Sequence, residues 1–449
     1  MSISRHLAAA LVAALAMVLA VLAPRPASAT QIQRVVSPGG IEAWLVEEHS
    51  IPLISVQFSF LGGATQDPPG KEGLANMVSG LLDEGAGEYD SQAFQLRLQE
   101  RAIRLSFDAS RDNFSGNLKT LSRNLDEALG MLRLALSEPR FDSEAVERIR
   151  AQIQTGLRFK AQDPDEVAGK LWFDLAFSGH PYARPVEGTP ETVAALQTAD
   201  LKGYVARVLA RGNLRIAVVG DIDAASLGAR LDQVFGALPA RADLSDVAST
   251  RVAAGPVRRI VDMDIPQTVI KFGLPGIPRK DPDFIPAFIV NHILGGGGFS
   301  SRLYAQVREK HGYAYSVYSG LYTLDHAPIL YGAVATRNDK AADSLALIEA
   351  ELARLAAGGP SAEELEAAKK FLTGSYALRF DSSGKIASEL VGIQLEGLGI
   401  DYINRRNELI EQVTIEQVRA VAARLLGTGG LIAAIVGRPA GLEEIRPGG

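Results

Sequence analysis

The sequence lacks cysteine altogether: none occurs in 449 residues. Disulfides, thiolate metal sites, cysteine nucleophiles and lipidation on cysteine are therefore excluded. Histidine is scarce as well, and one of the six, His6, belongs to the apolar N-terminal segment. No two of the others are close enough to share a helix turn, and none has a carboxylate at ligand spacing, so the sequence predicts no zinc site in this chain. These five are His49, His180, His292, His311 and His326.

A basic charge balance is also missing. The chain has 46 Lys and Arg against 52 Asp and Glu, a formal net charge of −6. The first 29 residues contain Arg5 and Arg25 and no acid, so the remainder is still more acidic. Proteins that bind nucleic acid normally show the opposite balance, and we expect no nucleic-acid partner. The hydrophobic share of 47% and the charged share of 22% are those of an ordinary globular protein.

Long apolar runs are absent except at the N-terminus. Residues 1–29 have the pattern of a secretory signal: Arg5, the apolar run Leu7–Ala23, and a small-residue cleavage site ending at Ala29. An uncleaved membrane anchor is the alternative, but the run is short for a bilayer span and Pro24 follows it. We therefore expect an exported chain without stable membrane insertion after signal cleavage.

Hydrophobic periodicity in the first half predicts strands that alternate with helices. Gly40–Glu48 and Leu53–Phe60 alternate apolar and polar residues as strands do, with a turn at His49–Pro52. Leu105–Asn117 fits two further strands, and Leu214–Gly220 fits a buried one. We expect helices at Lys71–Leu82, Gln92–Arg101, Leu118–Leu136, Asp142–Lys160 and Ala199–Ala210.

The second half repeats the order of the first. QTVIKFGLPG matches PLISVQFSFLGG, PSAEELEAAKKFLTGSYALRF matches DSEAVERIRAQIQTGLRF, and TIEQVRAVAARLLGTGGLIAAIVG matches TADLKGYVARVLARGNLRIAVVG. Three matches in one order imply a duplicated unit of roughly 200 residues, each copy an α+β assembly. We expect two halves, residues 30–240 and 258–449, joined by a linker at 241–257 that is polar and poor in pattern.

Leu294–Tyr318 holds the polar constellation that best fits a binding site. A run of four glycines predicts a flexible loop that can lie close to another chain. It lacks the Gly-Lys-Ser/Thr ending of a phosphate loop. A short helix follows, capped by Ser300 or Ser301 and ended by Gly312. The glycines are Gly295, Gly296, Gly297 and Gly298.

A strand is predicted to follow this helix. Period-two alternation would place Tyr313, Tyr315 and Val317 on one face of it. Arg308 lies near the end of the helix and Tyr315 early in the strand, so both side chains can converge on one ligand. A plain structural role for the pair, an exposed helix-end Arg and a core-facing Tyr, is the alternative from these residues alone.

The segment SRLYAQVREKHGYAYSV resembles the C-terminal-half signature of the pitrilysin/insulinase family of zinc metallopeptidases. In that family an Arg and a Tyr seven residues later bind substrate, which is the spacing of Arg308 and Tyr315. The glycine run resembles the glycine-rich loop of the non-catalytic subunit of mitochondrial processing peptidase. The resemblance extends over about Gln31–Gly437 and implies two homologous α/β-sandwich-like halves that face each other as a clam shell.

The metal motif of active family members is replaced in this sequence. Their first helix reads G-L-A-H-x-x-E-H, where two His bind zinc and the Glu polarises the bound water. This chain has GLANMVSGLL, with Asn76 and Gly80 at the His positions and Ser79 at the Glu position. The third ligand position falls on Ile149. The resemblance therefore implies a chain that binds no cofactor and is inactive alone.

The resemblance further implies a heterodimer. This chain would supply Arg308, Tyr315 and the glycine run to a homologous subunit with an intact HxxEH helix and its zinc, and peptides would be the substrates. An exported subunit of this family is expected in the periplasm. Two alternatives stay open: a peptide-binding or scaffolding protein of the cell envelope without proteolysis, and an active hydrolase with unorthodox ligands.

Overall fold

The computed structural model describes residues 31–253 and 255–446, which form two β-sheets with helices packed on them. The α+β class predicted above is confirmed, and the two halves face each other. The predicted signal at residues 1–29 lies outside the described residues. Within the described ranges no helix has the length and apolar character needed to cross a membrane.

Each half contains one sheet. The strands of the first sheet are β1 (Gln33–Val36), β2 (Glu42–Glu47), β3 (Leu53–Leu61), β4 (Arg104–Ala109), β5 (Asn113–Leu121) and β6 (Leu214–Gly220). The strands of the second are β7 (Val257–Val261), β8 (Gln267–Pro275), β9 (Ala314–Tyr322), β10 (Ile329–Arg337) and β11 (Ile432–Val436).

The two sheets share one topology. The first has the order β1-β2-β6-β3-β5-β4 and the second β7-β11-β8-β10-β9. Without β1 the orders correspond strand for strand, and in both sheets the first of these pairs is parallel and the others antiparallel. The predicted duplication is therefore present in the tertiary structure, and β4 and β9 are equivalent edge strands.

Helices cover the faces of both sheets. In the first half these are α1 (Leu74–Ser79), α2 (Ser91–Glu100), α3 (Leu125–Ser137), α4 (Ser143–Lys160), α5 (Pro164–Ala176), α6 (Pro190–Ala194), α7 (Thr198–Val208) and α8 (Ala224–Phe235). In the second half they are α9 (Phe284–Asn291), α10 (Ala341–Gly358), α11 (Ala362–Gly374), α12 (Ser383–Leu395), α13 (Tyr402–Glu411) and α14 (Ile415–Leu426).

Several predicted elements were wrong in extent. The predicted helix Leu118–Leu136 begins at Leu125, because the alternation of buried and exposed residues in β5 continues to Leu121. The α-helical part of Lys71–Leu82 is only Leu74–Ser79. In the first half, strand β1 and helices α5, α6 and α8 were not predicted. The turn at His49–Pro52 closes no hairpin, because β6 lies between β2 and β3.

One contact in the core shows the duplication at the level of single residues. Phe58 on β3 lies opposite Gly116 on β5, and Phe272 on β8 lies opposite Gly332 on β10. Both rings are fully buried, and a Cβ on either glycine would come within 2.1 Å and 2.4 Å of the facing ring. The glycines therefore make room for the phenylalanines, and this arrangement occurs at the same place in both sheets.

The two halves exchange helices. Helix α5 of the first half packs on β8 and β11 of the second sheet, where Trp172 Nε1 donates to the carbonyl of Ile432 at 3.1 Å. Helix α12 of the second half packs on β3 and β6 of the first sheet, where Gln394 Nε2 donates to the carbonyl of Ile216 at 2.9 Å. Each sheet is thus covered by a helix of the other half.

A buried polar cluster joins the halves beside these helices. The Tyr182 hydroxyl lies 2.8 Å from each carboxylate oxygen of Asp112, which also accepts from the backbone N–H of Asp325 at 3.2 Å. The N–H of His326 donates to the same hydroxyl at 2.9 Å. Burial raises the pKa of Asp112. Asp325 is exposed at the edge of this cluster, and partial desolvation with the nearby Asp112 carboxylate raises its pKa to about 6.

We expect Gly116→Ala to destabilise the protein by about 1–3 kcal/mol, because its Cβ overlaps the buried ring of Phe58. Gly332→Ala should destabilise the protein to a similar degree, because its Cβ overlaps the buried ring of Phe272. The matched control is Gly130→Ala in α3, where a Cβ meets nothing within 4 Å and should add about 0.5–1 kcal/mol of stability. Urea denaturation measures all three, and equal effects of Gly116→Ala and Gly130→Ala would contradict the overlap.

We also expect a pH-dependent effect of Asp325→Asn. An unfolded Asp has a pKa of ~3.9, whereas folded Asp325 has a pKa of about 6. Between these two values the folded chain binds a proton at Asp325 that the unfolded chain has lost, so its free energy of unfolding falls as pH rises. The groups facing Asp325 are Asp112, His326, Glu396 and Lys280. Relative to wild type, the urea midpoint of the variant should rise from pH 4.5 to pH 7. A difference that does not change with pH would count against this account.

Candidate functional site

The glycine run does not form the predicted flexible loop. Gly295 and Gly296 complete a π-helical turn, His292–Gly296, that continues helix α9, and Gly298–Ser300 is a short 3-10 turn. Gly295 is buried, and a Cβ there would lie 2.6 Å from the backbone nitrogen of Ser319 on β9. This glycine therefore lets the helix approach the sheet closely. The exposed glycines are Gly296 and Gly298, with Gly297 half-buried.

The helix after the run is a π-helix, Tyr304–Lys310. The Ser301 hydroxyl accepts from the Tyr304 N–H at 3.4 Å, as a capping residue does, and Gly312 lies beyond the helix end with a φ of 64°. π-Helical turns are rare and are frequent at functional sites. The chain places one such turn on each side of the exposed glycines, and the second carries Arg308.

Arg308 and Tyr315 are in direct contact. Arg308 Nη1 donates to the backbone oxygen of Tyr315 at 3.0 Å. The guanidinium lies 4.4 Å from the ring centre of Tyr315 and 4.9 Å from that of Tyr304. Aromatic rings in contact with a guanidinium attract its charge and restrict its orientation. The arginine is therefore pre-positioned at the protein surface, with Tyr315 80% exposed.

A β-bulge determines where Tyr315 points. Val317 pairs with Val334 and Ala314 pairs with Thr336, so two residues of β9 lie opposite one residue of β10. The prediction that Tyr315 and Val317 share a face was wrong, since Tyr315 is exposed and Val317 is 4% exposed. The extra residue shifts the alternation and turns the Tyr315 side chain outward.

The four positions of the replaced metal motif lie near one another, as the family pattern requires. Asn76 and Ser79 lie on α1, and the Ser79 hydroxyl donates to the carbonyl of Asn76 at 2.8 Å. A Cβ on Gly80 would be 3.3 Å from a methyl group of Ile149, which is 9% exposed in the core of the first half. These residues do not fit zinc, because an aliphatic side chain fills the place of a ligand.

Because the two sheets correspond strand for strand, the replaced metal motif in the first half has a counterpart near the glycine run in the second half. Helix α1 follows β3, and α9 follows the equivalent strand β8, so the run extends the counterpart of the helix that carries the replaced motif. Within residues 31–253 and 255–446 no group of three His, Asp or Glu side chains is arranged to hold a metal ion.

Sequence reasoning missed the aromatic residues around the Arg308–Tyr315 pair. Tyr304 was not predicted to contact the pair, although its spacing of four from Arg308 was a usable signal. Phe299 is 76% exposed and meets the Tyr304 ring edge-on at 5.0 Å. On the other side of the run, Phe371 of α11 stacks on His292 at 5.1 Å. Burial lowers the pKa of His292.

The remaining histidines of interest have local partners. His180 lies in a turn, where its Nδ1 accepts from the N–H of Tyr182 at 3.1 Å and its Nε2 lies 2.9 Å from the carbonyl of Ala248. His311 follows the π-helix, and its Nδ1 lies 2.8 Å from the carbonyl of Gln306.

Comparison with known proteins gives a consistent result. A family model described as insulinase (peptidase family M16) matches residues 45–190, and one described as the peptidase M16 inactive domain matches residues 195–372. The non-peptidase homolog YmxG of Helicobacter pylori is 26% identical over 83% of this chain and 86% of its own. An uncharacterized zinc protease of Streptomyces coelicolor is 27% identical over 88% and 87%.

Solved structures share the fold. A peptidase M16 inactive domain from Pseudomonas fluorescens superposes with a TM-score of 0.85 at 27% identity, over 92% of this chain and all of that one. A protease from Helicobacter pylori has the same fold, with a TM-score of 0.81 at 17% identity over 91% of this chain and all of that one.

Ile149→Ala should destabilise the protein by about 2 kcal/mol, because it removes buried methyl groups from the core. Asn76→Ala, at a half-buried position of the same motif, should change stability by less than ~0.5 kcal/mol. Urea denaturation with and without added zinc measures both. A wild-type midpoint that rises with zinc would contradict the assignment of Ile149 to the core.

Proposed function

The chain belongs to peptidase family M16, the insulinase family, as a member without the zinc motif of active members, and from this we propose that it is the non-catalytic subunit of a two-subunit zinc peptidase. In this proposal a homologous partner with an intact HxxEH helix holds the zinc, and this chain binds the peptide substrate through Arg308 and Tyr315.

The observation that carries the proposal is the contrast between the two equivalent places in the duplicated fold. In the first half the metal positions are filled by residues without ligand chemistry, and Ile149 is part of the core. In the second half the half-buried Arg308 contacts the rings of Tyr304 and Tyr315 beside the exposed Tyr315 side chain. A buried core is expected at a place without function, whereas a guanidinium held against aromatic rings near the surface has donors to offer a ligand.

The geometry suits recognition of a peptide backbone. One Arg308 N–H is used by the Tyr315 carbonyl, and the other edge of the planar guanidinium can fork onto a peptide carbonyl or a carboxylate. The Tyr315 phenol can donate to a carbonyl oxygen that gains negative charge during hydrolysis. Arg308 would thus bind the substrate in the ground state, and Tyr315 would act more strongly in the transition state.

Edge strand β9 offers a second means of peptide binding. It pairs with β10 on one side, and no strand of the described residues pairs with the other. An extended peptide can add to such an edge through main-chain hydrogen bonds. The exposed glycines Gly296 and Gly298 precede the π-helix that carries Arg308, and without side chains they would leave room for the peptide or the partner.

Export to the periplasm is part of the proposal. Its support is the charged start, apolar run and small-residue site within residues 1–29. In this proposal the zinc belongs to the partner alone.

The second candidate function is that of a peptide-binding or scaffolding protein of the envelope. The pre-positioned Arg308 and Tyr315 would also bind a peptide without a partner enzyme.

We expect peptide hydrolysis only when the chain and an HxxEH-bearing homologue are mixed. Arg308→Ala in this chain should lower kcat/KM of the mixture by roughly 10- to 100-fold, the loss expected for about 1.4–2.7 kcal/mol of transition-state binding. Tyr315→Phe should lower kcat by about 10-fold with little change in KM, because it removes only a donor to the developing charge. Initial rates on a fluorogenic peptide measure both.

Lys310→Ala is the matched control, since Lys310 is an exposed cation on the same π-helix. Its mixture should keep the wild-type rate. A mixture no faster than the partner alone would overturn the subunit proposal. Peptide binding by the isolated chain that depends on Arg308 would then support the binding-protein function.

A further inference from the structure

The Arg308 guanidinium is held by few contacts. Its Nη1 donates to the backbone oxygen of Tyr315 at 3.0 Å, and the ring centres of Tyr304 and Tyr315 lie 4.9 Å and 4.4 Å away. In the part of the chain that the structure describes, no carboxylate forms an ion pair with Arg308. The direction in which its remaining N–H groups point therefore depends on one carbonyl and two aromatic rings.

The two rings differ in how firmly they are held. The Tyr315 side chain is 80% exposed, so its ring can rotate without displacing other groups. Tyr304 is only 8% exposed and belongs to the core of the second half. A ring fixed by close packing keeps one rotamer, whereas an exposed side chain samples several within nanoseconds. Of the two rings, Tyr304 is therefore the one that can restrain the neighbouring guanidinium.

Neighbouring groups hold Tyr304 in place. Its N–H donates to the Ser301 hydroxyl at 3.4 Å, and the Phe299 ring meets its ring edge-on at 5.0 Å. An edge-to-face pair of rings adds stabilisation beyond the area that it buries. Phe299 directly follows the glycine run, so the exposed end of the run is joined to Arg308 through two aromatic rings.

The chain is also anchored just before the π-helix that carries Tyr304 and Arg308. Arg302 donates from its Nε and its Nη2 to the two carboxylate oxygens of Glu364 on α11, each at 2.7 Å. Bidentate pairs of this kind fix geometry as well as adding energy. The hydrogen bond from Arg302 lowers the pKa of Glu364, so the pair stays ionised at neutral pH. Tyr304 therefore follows a fixed point on α11, two residues away along the chain.

Contact with a ring orients a guanidinium without occupying its donors. A cation within about 6 Å of a ring centre is attracted by the π-electrons, and phenylalanine attracts it as tyrosine does. This attraction acts at the ring, so the N–H groups of the guanidinium stay available for hydrogen bonds. Tyr304 can thus hold Arg308 in one direction while leaving it the donors that a ligand needs.

We propose that Tyr304 is a positioning residue: its packed ring, braced by Phe299, orients the Arg308 guanidinium for the substrate. This inference rests on the proposed function, because a peptide must bind at Arg308 for the orientation to affect catalysis. It gives the two tyrosines different tasks. Tyr304 acts on substrate binding through Arg308, and the exposed Tyr315 stays free to move onto the reacting carbonyl.

The first test uses the isolated full chain and needs no partner. In NMR spectra of the protein labelled with ¹⁵N-arginine, Arg308→Lys identifies the Arg308 Nε–H signal. Tyr304→Leu should move this signal to the position of a solvent-exposed arginine, because the ring and its local magnetic field are lost. Tyr304→Phe keeps the ring and should leave the signal in place. A signal that Tyr304→Leu does not move would overturn the proposal.

The second test measures peptide hydrolysis by the mixture with the HxxEH-bearing homologue. Tyr304→Leu should raise KM about 3- to 10-fold with kcat unchanged, and Tyr304→Phe should keep the wild-type KM. In an Arg308→Ala background, Tyr304→Leu should change KM no further, because the group that it positions is absent. An equal rise of KM in both backgrounds would mean a merely structural role and would also overturn the proposal.

Tyr376→Leu is the matched control. Tyr376 is 4% exposed, its ring centre lies 4.1 Å from the guanidinium of Arg406, and it belongs to a different hydrophobic cluster from Tyr304. This variant should keep the wild-type KM and the Arg308 signal even where it destabilises the chain. If the mixture hydrolyses no peptide, the two-subunit proposal fails, and the NMR signal still decides whether Tyr304 orients Arg308.

Discussion

The exchange of helices between the halves is the constraint on which the rest of this structure depends. A sheet packed on one face only would leave the apolar residues of its other face in water, at a cost of about 25 cal/mol per Å². Helices α5 and α12 each cover the sheet of the opposite half, with Trp172 and Gln394 bonded to backbone carbonyls there. The halves therefore cannot separate without exposing both cores.

Duplication followed by divergence explains why equivalent places in the two halves carry different residues. The two sheets have equivalent strand orders, and the Phe58–Gly116 contact has a counterpart in the second sheet. Core contacts of this kind are needed wherever the fold occurs, so both copies have them. A site is not needed for folding, so one copy can bury Ile149 in its core while the other presents Arg308 at the surface.

Much of the fold and part of the site followed from residue patterns. Duplicated segments predicted two equivalent α+β halves, and the spacing of Arg308 and Tyr315 predicted that they meet. Helix α5 was missed because its apolar residues contact the sheet of the other half, and a one-dimensional pattern does not say which sheet is covered. The predicted glycine loop failed because Gly295 is used for close packing against Ser319, which glycine permits as readily as flexibility.

The sequence by itself determined the class of fold and the repeat, because these depend on residue identity and local periodicity, and its resemblance to a known family singled out the replaced metal motif and the Arg–Tyr pair. The tertiary structure alone decided where Tyr315 points, since the β-bulge depends on pairing with a strand elsewhere in the chain. It also decided that Asp112 and Tyr182 meet the backbone of Asp325 and His326 although they are far apart in sequence. Such contacts arise from the packing of the two halves, and no local pattern encodes them.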